Sequence, residues 1–292
     1  MRINQPNLFL LGAPKCGTTA VYTYLTTHSQ VYFPHDKEPH FYAEDFPSHR
    51  TCATRKDYDQ LYAAAGPEHR KIGDASVLML YSQTAVERIL ADCHDACFLI
   101  AVRNPAELVV SLHRQFVFSG RERDLNFVSA WQREIDRTDN SVFPYGDVAS
   151  ALLHYPRYGR LGTYLARLLT HVERQRVHIL FLEDVQKNPR EVYMRMLNFL
   201  KLKDDGRENF PRINEARQHR WQKLSQLVQS RPWLMNFFKQ AGIATTLRRL
   251  GTRPSLRTSL PLEFQHELRD YFKDEVELLA ELTDRDLSHW HT

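Results

Sequence analysis

Apolar and polar positions follow one another along the chain in blocks that predict strands and helices in turn. Continuous apolar runs at residues 8–11, 97–103 and 177–182 are typical of strands buried on both faces of a parallel sheet. Apolar positions spaced three or four residues apart predict helices, for example over 105–118 and 158–171. Strands that alternate with helices predict an α/β fold, in which helices flank a central parallel sheet.

Weaker patterns predict the shorter elements between these blocks. Residues 30–33 and 71–76 have the composition of short strands, and the second of them ends in polar residues. Further helices are predicted at 56–65, 82–92, 125–136 and 189–200, and as one amphipathic helix from about residue 260. Because no internal repeat or low-complexity linker interrupts the chain, we predict a single domain over residues 1–292.

The first predicted strand runs into the sequence Gly12-Ala-Pro-Lys-Cys-Gly-Thr-Thr, where a helix begins. The backbone N–H groups of Gly17, Thr18 and Thr19 then lie unpaired at a helix N-terminus and favour an anion, and Lys15 adds a positive charge. A Walker A motif places its lysine after the second glycine, whereas Lys15 precedes Gly17. We therefore predict an anion site without a metal; the alternative is a Gly-Thr-rich turn with a surface lysine.

A second anion site is predicted where the apolar run 97–103 ends in Arg103. Asn104-Pro105 begins the next helix, and Ser111 lies two turns into it. The planar guanidinium of arginine meets two phosphate oxygens at once. The alternative for Arg103 is a structural salt bridge at the end of a strand.

Residues 35–42 combine five titratable side chains with two aromatic ones, in the sequence His-Asp-Lys-Glu-Pro-His-Phe-Tyr. Taken alone, the segment favours a solvated turn that Phe41 and Tyr42 anchor to the core.

Composition and charge narrow the classes of function. The 292 residues carry a net charge of only +4, with the basic residues scattered, so no nucleic-acid footprint is present. Four cysteines do not make a disulfide framework, and the pair Cys93 and Cys97 lacks the further ligands of a zinc site. With neither a leader peptide nor an apolar run long enough for a membrane span, the expectation is a soluble, cytoplasmic protein.

Three of these segments resemble motifs of the sulfotransferases that use PAPS (3′-phosphoadenosine 5′-phosphosulfate). Residues 12–19 resemble their 5′-phosphosulfate loop, and the stretch from Arg103 to Ser111 resembles their 3′-phosphate motif. Glu38-Pro-His-Phe-Tyr42 is similar to a segment of bacterial and heparan sulfate sulfotransferases. Ala43 stands where some glycan-sulfating members carry a carboxylate. The resemblance covers residues 7–202 and about the last thirty, and it implies a P-loop-like three-layer fold.

The resemblance also implies the roles of individual residues. Glu38 would be the catalytic base, His40 would orient the acceptor and Lys15 would stabilise the leaving phosphate. Asp74 and Ser76 would bind the substrate, and a basic segment around 212–257 would fold over the nucleotide. The residues implied to bind PAPS are Lys15, Cys16, Gly17, Thr18, Thr19, Arg103, Ser111, Arg217 and Arg253.

The resulting prediction is sulfuryl transfer from PAPS to a hydroxyl or amine, with PAP as the product and no metal. The acceptor stays open among a small molecule, a lipid and a glycan, with no nucleic acid as partner. The alternatives are a Mg-dependent nucleotide kinase and a nucleotide-binding scaffold without turnover.

Overall fold

The computed structural model describes residues 5–138, 154–211, 217–219, 252–254 and 260–292. The strands are β1 (Leu8–Gly12), β2 (Val31–Tyr32), β3 (Lys71–Asp74), β4 (Cys97–Val102), β5 (Val177–Phe181), β6 (Arg217–His219) and β7 (Thr252–Pro254). The helices are α1 (Thr18–Thr26), α2 (Arg55–Gln60), α3 (Ala85–Asp92), α4 (Pro105–Ser119), α5 (Phe127–Thr138), α6 (Tyr155–Gly159), α7 (Leu161–His171), α8 (Leu182–Lys187), α9 (Pro189–Leu200), α10 (Leu262–Tyr271) and α11 (Lys273–Thr283).

The described chain divides into two compact units. The sheet unit comprises Met1–Leu108, Tyr158–Ile213 and Arg269–Thr292, and the second unit comprises Val109–Arg157 and Asn214–Leu268. The sheet unit holds β1–β5, and the second unit holds β6 and β7, which pair antiparallel. The single-domain assignment stays a prediction.

Five parallel strands form one sheet in the order β2-β3-β1-β4-β5. Its centre is apolar, as the sequence predicts, because Leu8–Leu11 of β1 are fully buried and β4 is buried from Phe98 onward. Helices flank this sheet, which confirms the predicted α/β fold.

The strand order predicts a ligand site beside β1. From β1 the chain forms β2 and β3 on one side and then crosses to form β4 and β5 on the other. Strand order therefore reverses between β1 and β4, and open α/β sheets bind ligands outside the carboxyl ends of their strands at such a point. The loops that follow Gly12 and Val102 carry Lys15 and Arg103 to this edge.

Two helices that the sequence predicts as continuous are broken. The helix predicted at 158–171 is interrupted at Arg160, and the C-terminal helix is interrupted at Phe272. The buried Phe272 ring packs where Gly159 has no side chain, because a Cβ there would lie 2.2 Å from the ring. Burying this ring favours the break, which helical periodicity alone does not reveal.

The C-terminal residues are bonded to the end of β5 and to the residue after Arg103. The Arg285 guanidinium donates to Glu183 Oε1 at 2.8 Å and lies 3.9 Å from the centre of the Phe181 ring. The Asn104 side chain donates to the Trp290 carbonyl at 3.1 Å. The second contact holds the residue directly after Arg103.

Candidate functional site

The loop between β1 and α1 has the backbone of an anion site. Gly17 precedes α1 with a φ of 88°, and no side chain among the described residues caps this helix end. A Cβ at Gly17 would lie 2.9 Å from Leu182 Cδ1, so both the left-handed backbone and the available space favour glycine. The first N–H groups of the helix therefore remain available for an anion, together with the positive end of its dipole.

Two cations stand at this loop. Burial lowers the pKa of the Lys15 ammonium, and the neighbouring Arg103 guanidinium lowers it further. Like charges at a partly buried edge repel one another, so a bound anion would stabilise the pair. Such an arrangement favours a phosphate or a sulfate.

Cys16 lies in the core below the loop. Its thiol is completely buried, and burial raises its pKa to about 12, so it stays neutral and unreactive at physiological pH. The Cys16 N–H donates to the Ala13 carbonyl at 3.3 Å. Its contact with a nucleotide stays a prediction, and that contact would have to replace this backbone bond.

Arg103 forms the salt bridge that the sequence offers as an alternative. Its Nη2 and Nε donate to Glu107 Oε2 at 2.6 and 2.9 Å. The Glu107 side chain is 62% exposed, so the pair is weak and an anion can compete for the remaining guanidinium donors. Ser111 lies in the part of α4 that belongs to the second unit, and its role at a 3′-phosphate stays a prediction.

Glu38 lies between two basic side chains. Its Oε1 is 3.3 Å from Lys37 Nζ, and its Oε2 is 3.7 Å from His40 Nε2. Burial alone would raise the pKa of Glu38, but the contact with His40 and the charge of Lys37 outweigh it and lower the pKa below its ordinary value. Glu38 is therefore a carboxylate at neutral pH, as a general base must be.

Lys37 is the residue of this site that the sequence analysis missed. The groups that keep the Glu38 carboxylate ionised are His40 and Lys37. The signal was available, because a lysine directly before the predicted base is part of the same titratable segment.

His40 contains a buried polar atom whose partner the described chain does not supply. The residue is 4% exposed, and Nδ1 has no hydrogen-bond partner among the described residues. Leaving such an atom unsatisfied costs about 1–3 kcal/mol, so a ligand group that paired with it would bind favourably.

Asp74 and Ser76 lie beneath His40 and are completely buried. Ser76 Oγ accepts the His40 N–H at 3.0 Å and donates to Asp74 Oδ1 at 2.6 Å. Tyr58 donates to Asp74 Oδ2 at 2.7 Å. Burial raises the pKa of Asp74, and the bonds from Ser76 and Tyr58 counter part of that rise. The geometry thus favours support of His40, and direct substrate binding by Asp74 and Ser76 stays a prediction.

The late basic candidates are described only by their backbone. Gln218 pairs with Arg253 and Arg217 pairs with Pro254 in the β6–β7 ladder. The side chains of Arg217 and Arg253, and most of the predicted segment 212–257, lie outside the described residues. Their contact with a nucleotide stays a prediction.

The described residues contain neither a metal-binding cluster nor a membrane-spanning helix. That part of the chain has no cluster of three or more His, Cys, Asp or Glu side chains arranged to hold a metal ion. Within the same residues, no helix combines the length and apolar character needed to cross a membrane.

Comparison with known proteins places these features in a family. The family model of the sulfotransferase domain matches residues 5–232. Carbohydrate sulfotransferase 15 of Homo sapiens is 23% identical over 246 residues, which are 68% of this chain and 44% of that protein. The Rattus norvegicus protein of the same name is 24% identical with the same coverage. This chain thus spans less than half the length of these relatives.

The fold has a solved counterpart. The crystal structure of a sulfotransferase from Alicyclobacillus acidocaldarius matches with a TM-score of 0.73 over 99% of both chains, at 24% identity. That likeness supports the fold. The match to the family model covers well over half of this chain and includes Lys15, Glu38 and Arg103. The chain therefore belongs to the sulfotransferase domain family.

Proposed function

We propose that this protein transfers a sulfuryl group from PAPS to a hydroxyl or amine acceptor and releases PAP. One observation carries the proposal: Lys15 and Arg103 lie together at the strand-order reversal, beside a helix N-terminus that no described side chain caps. That combination suits an anionic nucleotide.

The donor fits the residues present. The α1 N-terminus and Lys15 would hold the 5′-phosphosulfate, with Thr18 and Thr19 adding hydroxyl donors. Arg103 and Ser111 would hold the 3′-phosphate. PAPS supplies an activated sulfur atom joined through oxygen to a phosphate, which is the leaving group.

Glu38 would act on the acceptor and Lys15 would act on the leaving group. Glu38 takes the proton from the acceptor while the acceptor oxygen or nitrogen bonds to sulfur and the bond from sulfur to the bridging oxygen breaks. Lys15 stabilises the negative charge that develops on that oxygen, which leaves as part of PAP with the electron pair. His40, whose Nε2 lies 3.7 Å from Glu38 Oε2, would orient the acceptor.

The acceptor class to test first is a carbohydrate. Support comes from the name of the curated relatives, carbohydrate sulfotransferase 15. Ala43 stands where some glycan-sulfating sulfotransferases carry a carboxylate, so small molecules and lipids are tested as acceptors alongside carbohydrates.

The kinase alternative is not favoured, because the family match is to a sulfotransferase domain and because Lys15 precedes Gly17. A scaffold without turnover would not need a half-buried, ionised Glu38 in this segment.

The deciding experiment is turnover with ³⁵S-labelled PAPS against a panel of glycans, small alcohols and amines, and lipids. We expect label transfer with stoichiometric PAP release, unaffected by EDTA. Phosphate transfer from ATP with Mg²⁺ would establish the kinase. PAP binding without transfer to any acceptor class would support the scaffold.

A further inference from the structure

We infer that Lys37 is a positioning residue that fixes the Glu38 carboxylate against the first turn of α1, an inference that rests on the proposed role of Glu38. Lys37 Nζ lies 3.3 Å from Glu38 Oε1 and 3.5 Å from Thr19 Oγ1. Thr19 belongs to the predicted donor loop and Glu38 is the predicted base. One ammonium group therefore contacts both the predicted base and the predicted donor loop.

The burial of Lys37 indicates a fixed side chain. It is 19% exposed, and its ammonium lies 5.8 Å from the centre of the Tyr22 ring. Tyr22 is itself held by donating its hydroxyl proton to the Pro34 carbonyl at 2.8 Å. Because lysines are seldom buried without a partner, the ammonium depends on Glu38 and Thr19.

The charges around Glu38 show what the loss of Lys37 would do. Lys37 and His40 face the carboxylate, and Asp74 lies behind them as a second carboxylate that repels it. Without Lys37, the burial of Glu38 and the repulsion from Asp74 would be opposed mainly by His40. The carboxylate would then be harder to ionise and no longer tied to Thr19.

The test compares Lys37→Met with Lys37→Arg and with Lys273→Met. Lys273 is exposed and lies 3.9 Å from Glu277, so the control breaks a Lys–Glu pair on a distant helix. For each variant, kcat and kcat/KM are measured between pH 4 and 9, and PAP affinity is measured by calorimetry. The Glu38 carboxyl is titrated in the free protein by ¹³C NMR and assigned by comparison with Glu38→Gln.

We expect Lys37→Met to move the acidic limb of the pH profile and the NMR titration of Glu38 upward by roughly one pH unit. Lys37→Arg should restore the position of the limb because it keeps the charge, and Lys273→Met should match the parent. If Lys37→Met does not fold, Lys37→Gln provides the same measurements with a polar side chain.

An unmoved Glu38 titration in Lys37→Met or Lys37→Gln overturns the inference, whatever the activity. A failure of the proposed function looks different: the parent would then transfer nothing from PAPS while the NMR titration of Glu38 still responds to Lys37. A failure of the base assignment alone would leave Glu38→Gln with its turnover.

Discussion

Three residues with predicted catalytic roles have a left-handed backbone conformation, which residues other than glycine rarely adopt. Lys15, Glu38 and His40 have φ values of 64°, 66° and 50°. A left-handed residue costs roughly 1–2 kcal/mol, so the surrounding contacts must hold each of them in place. Such strain concentrates at functional sites, where it presents side chains at fixed positions.

The base assignment is tested by two substitutions. Glu38→Gln keeps the shape and removes the base, so kcat should fall roughly a hundredfold or more while PAP affinity stays unchanged. His40→Ala should cost less, or should raise mainly the acceptor KM. The measurements are kcat and KM with the best acceptor, and calorimetry with PAP.

The reverse pattern would reassign the roles. If Glu38→Gln stays within a few-fold of the parent and His40→Ala is inactive, His40 is the base.

At the scale of elements, Gly17 is predicted to be required for the donor loop. Gly17→Ala places a Cβ 2.9 Å from Leu182 and forces alanine to a φ of 88°, so PAP affinity should fall at least tenfold. Gly206→Ala is the matched control, because Gly206 has a φ of 72° with no atom within 4 Å of its added Cβ. Both variants should lose stability through strain, and only Gly17→Ala should lose PAP binding. Equal PAP affinity in the two variants would show that the loop does not bind the nucleotide.

The bonds beneath His40 give a second prediction at this scale. Ser76→Ala leaves the His40 N–H unpaired, whereas Tyr58→Phe removes a bond to the same Asp74 carboxylate without touching His40. Both should lower the free energy of unfolding by about 1–3 kcal/mol. Only Ser76→Ala should also lower kcat, measured at a temperature where both variants are folded. Parallel losses of kcat in both would mean that the contact with His40 has no special role.

The sequence predicts elements better than it predicts their contacts. The strands 8–11 and 97–103 lie within a residue of β1 and β4, because continuous apolar runs are a local signal. Glu38 and His40 are predicted only through the resemblance to the sulfotransferase motif, because their segment alone favours a solvated turn. Tyr58 is 16 residues from Asp74, and its bond depends on how α2 packs, which no spacing reveals. The contact between Lys37 and Thr19 is likewise beyond local patterns, because Thr19 lies on another element.

At the scale of the whole molecule, the cationic groups of the site predict which nucleotide the protein prefers. AMP and PAP present the same 5′-phosphate to the Lys15 loop, and only PAP carries a 3′-phosphate for Arg103. The net charge of +4 is small and its basic residues are scattered, so the general field favours the more highly charged PAP only slightly. Any strong preference must therefore come from specific groups.

We expect PAP to bind at least tenfold more tightly than AMP, because a charge-assisted pair at a partly buried site contributes on the order of 1.5–3 kcal/mol. Arg103→Ala should abolish this preference and leave weak AMP binding intact. Glu107→Gln is the matched control: it removes the ion pair in which Arg103 is held but keeps the guanidinium, so the preference for PAP should survive. Calorimetry with both nucleotides measures all three proteins. Equal affinities of the parent for PAP and AMP would refute the 3′-phosphate site, and a preference that persists in Arg103→Ala would move that site to other residues.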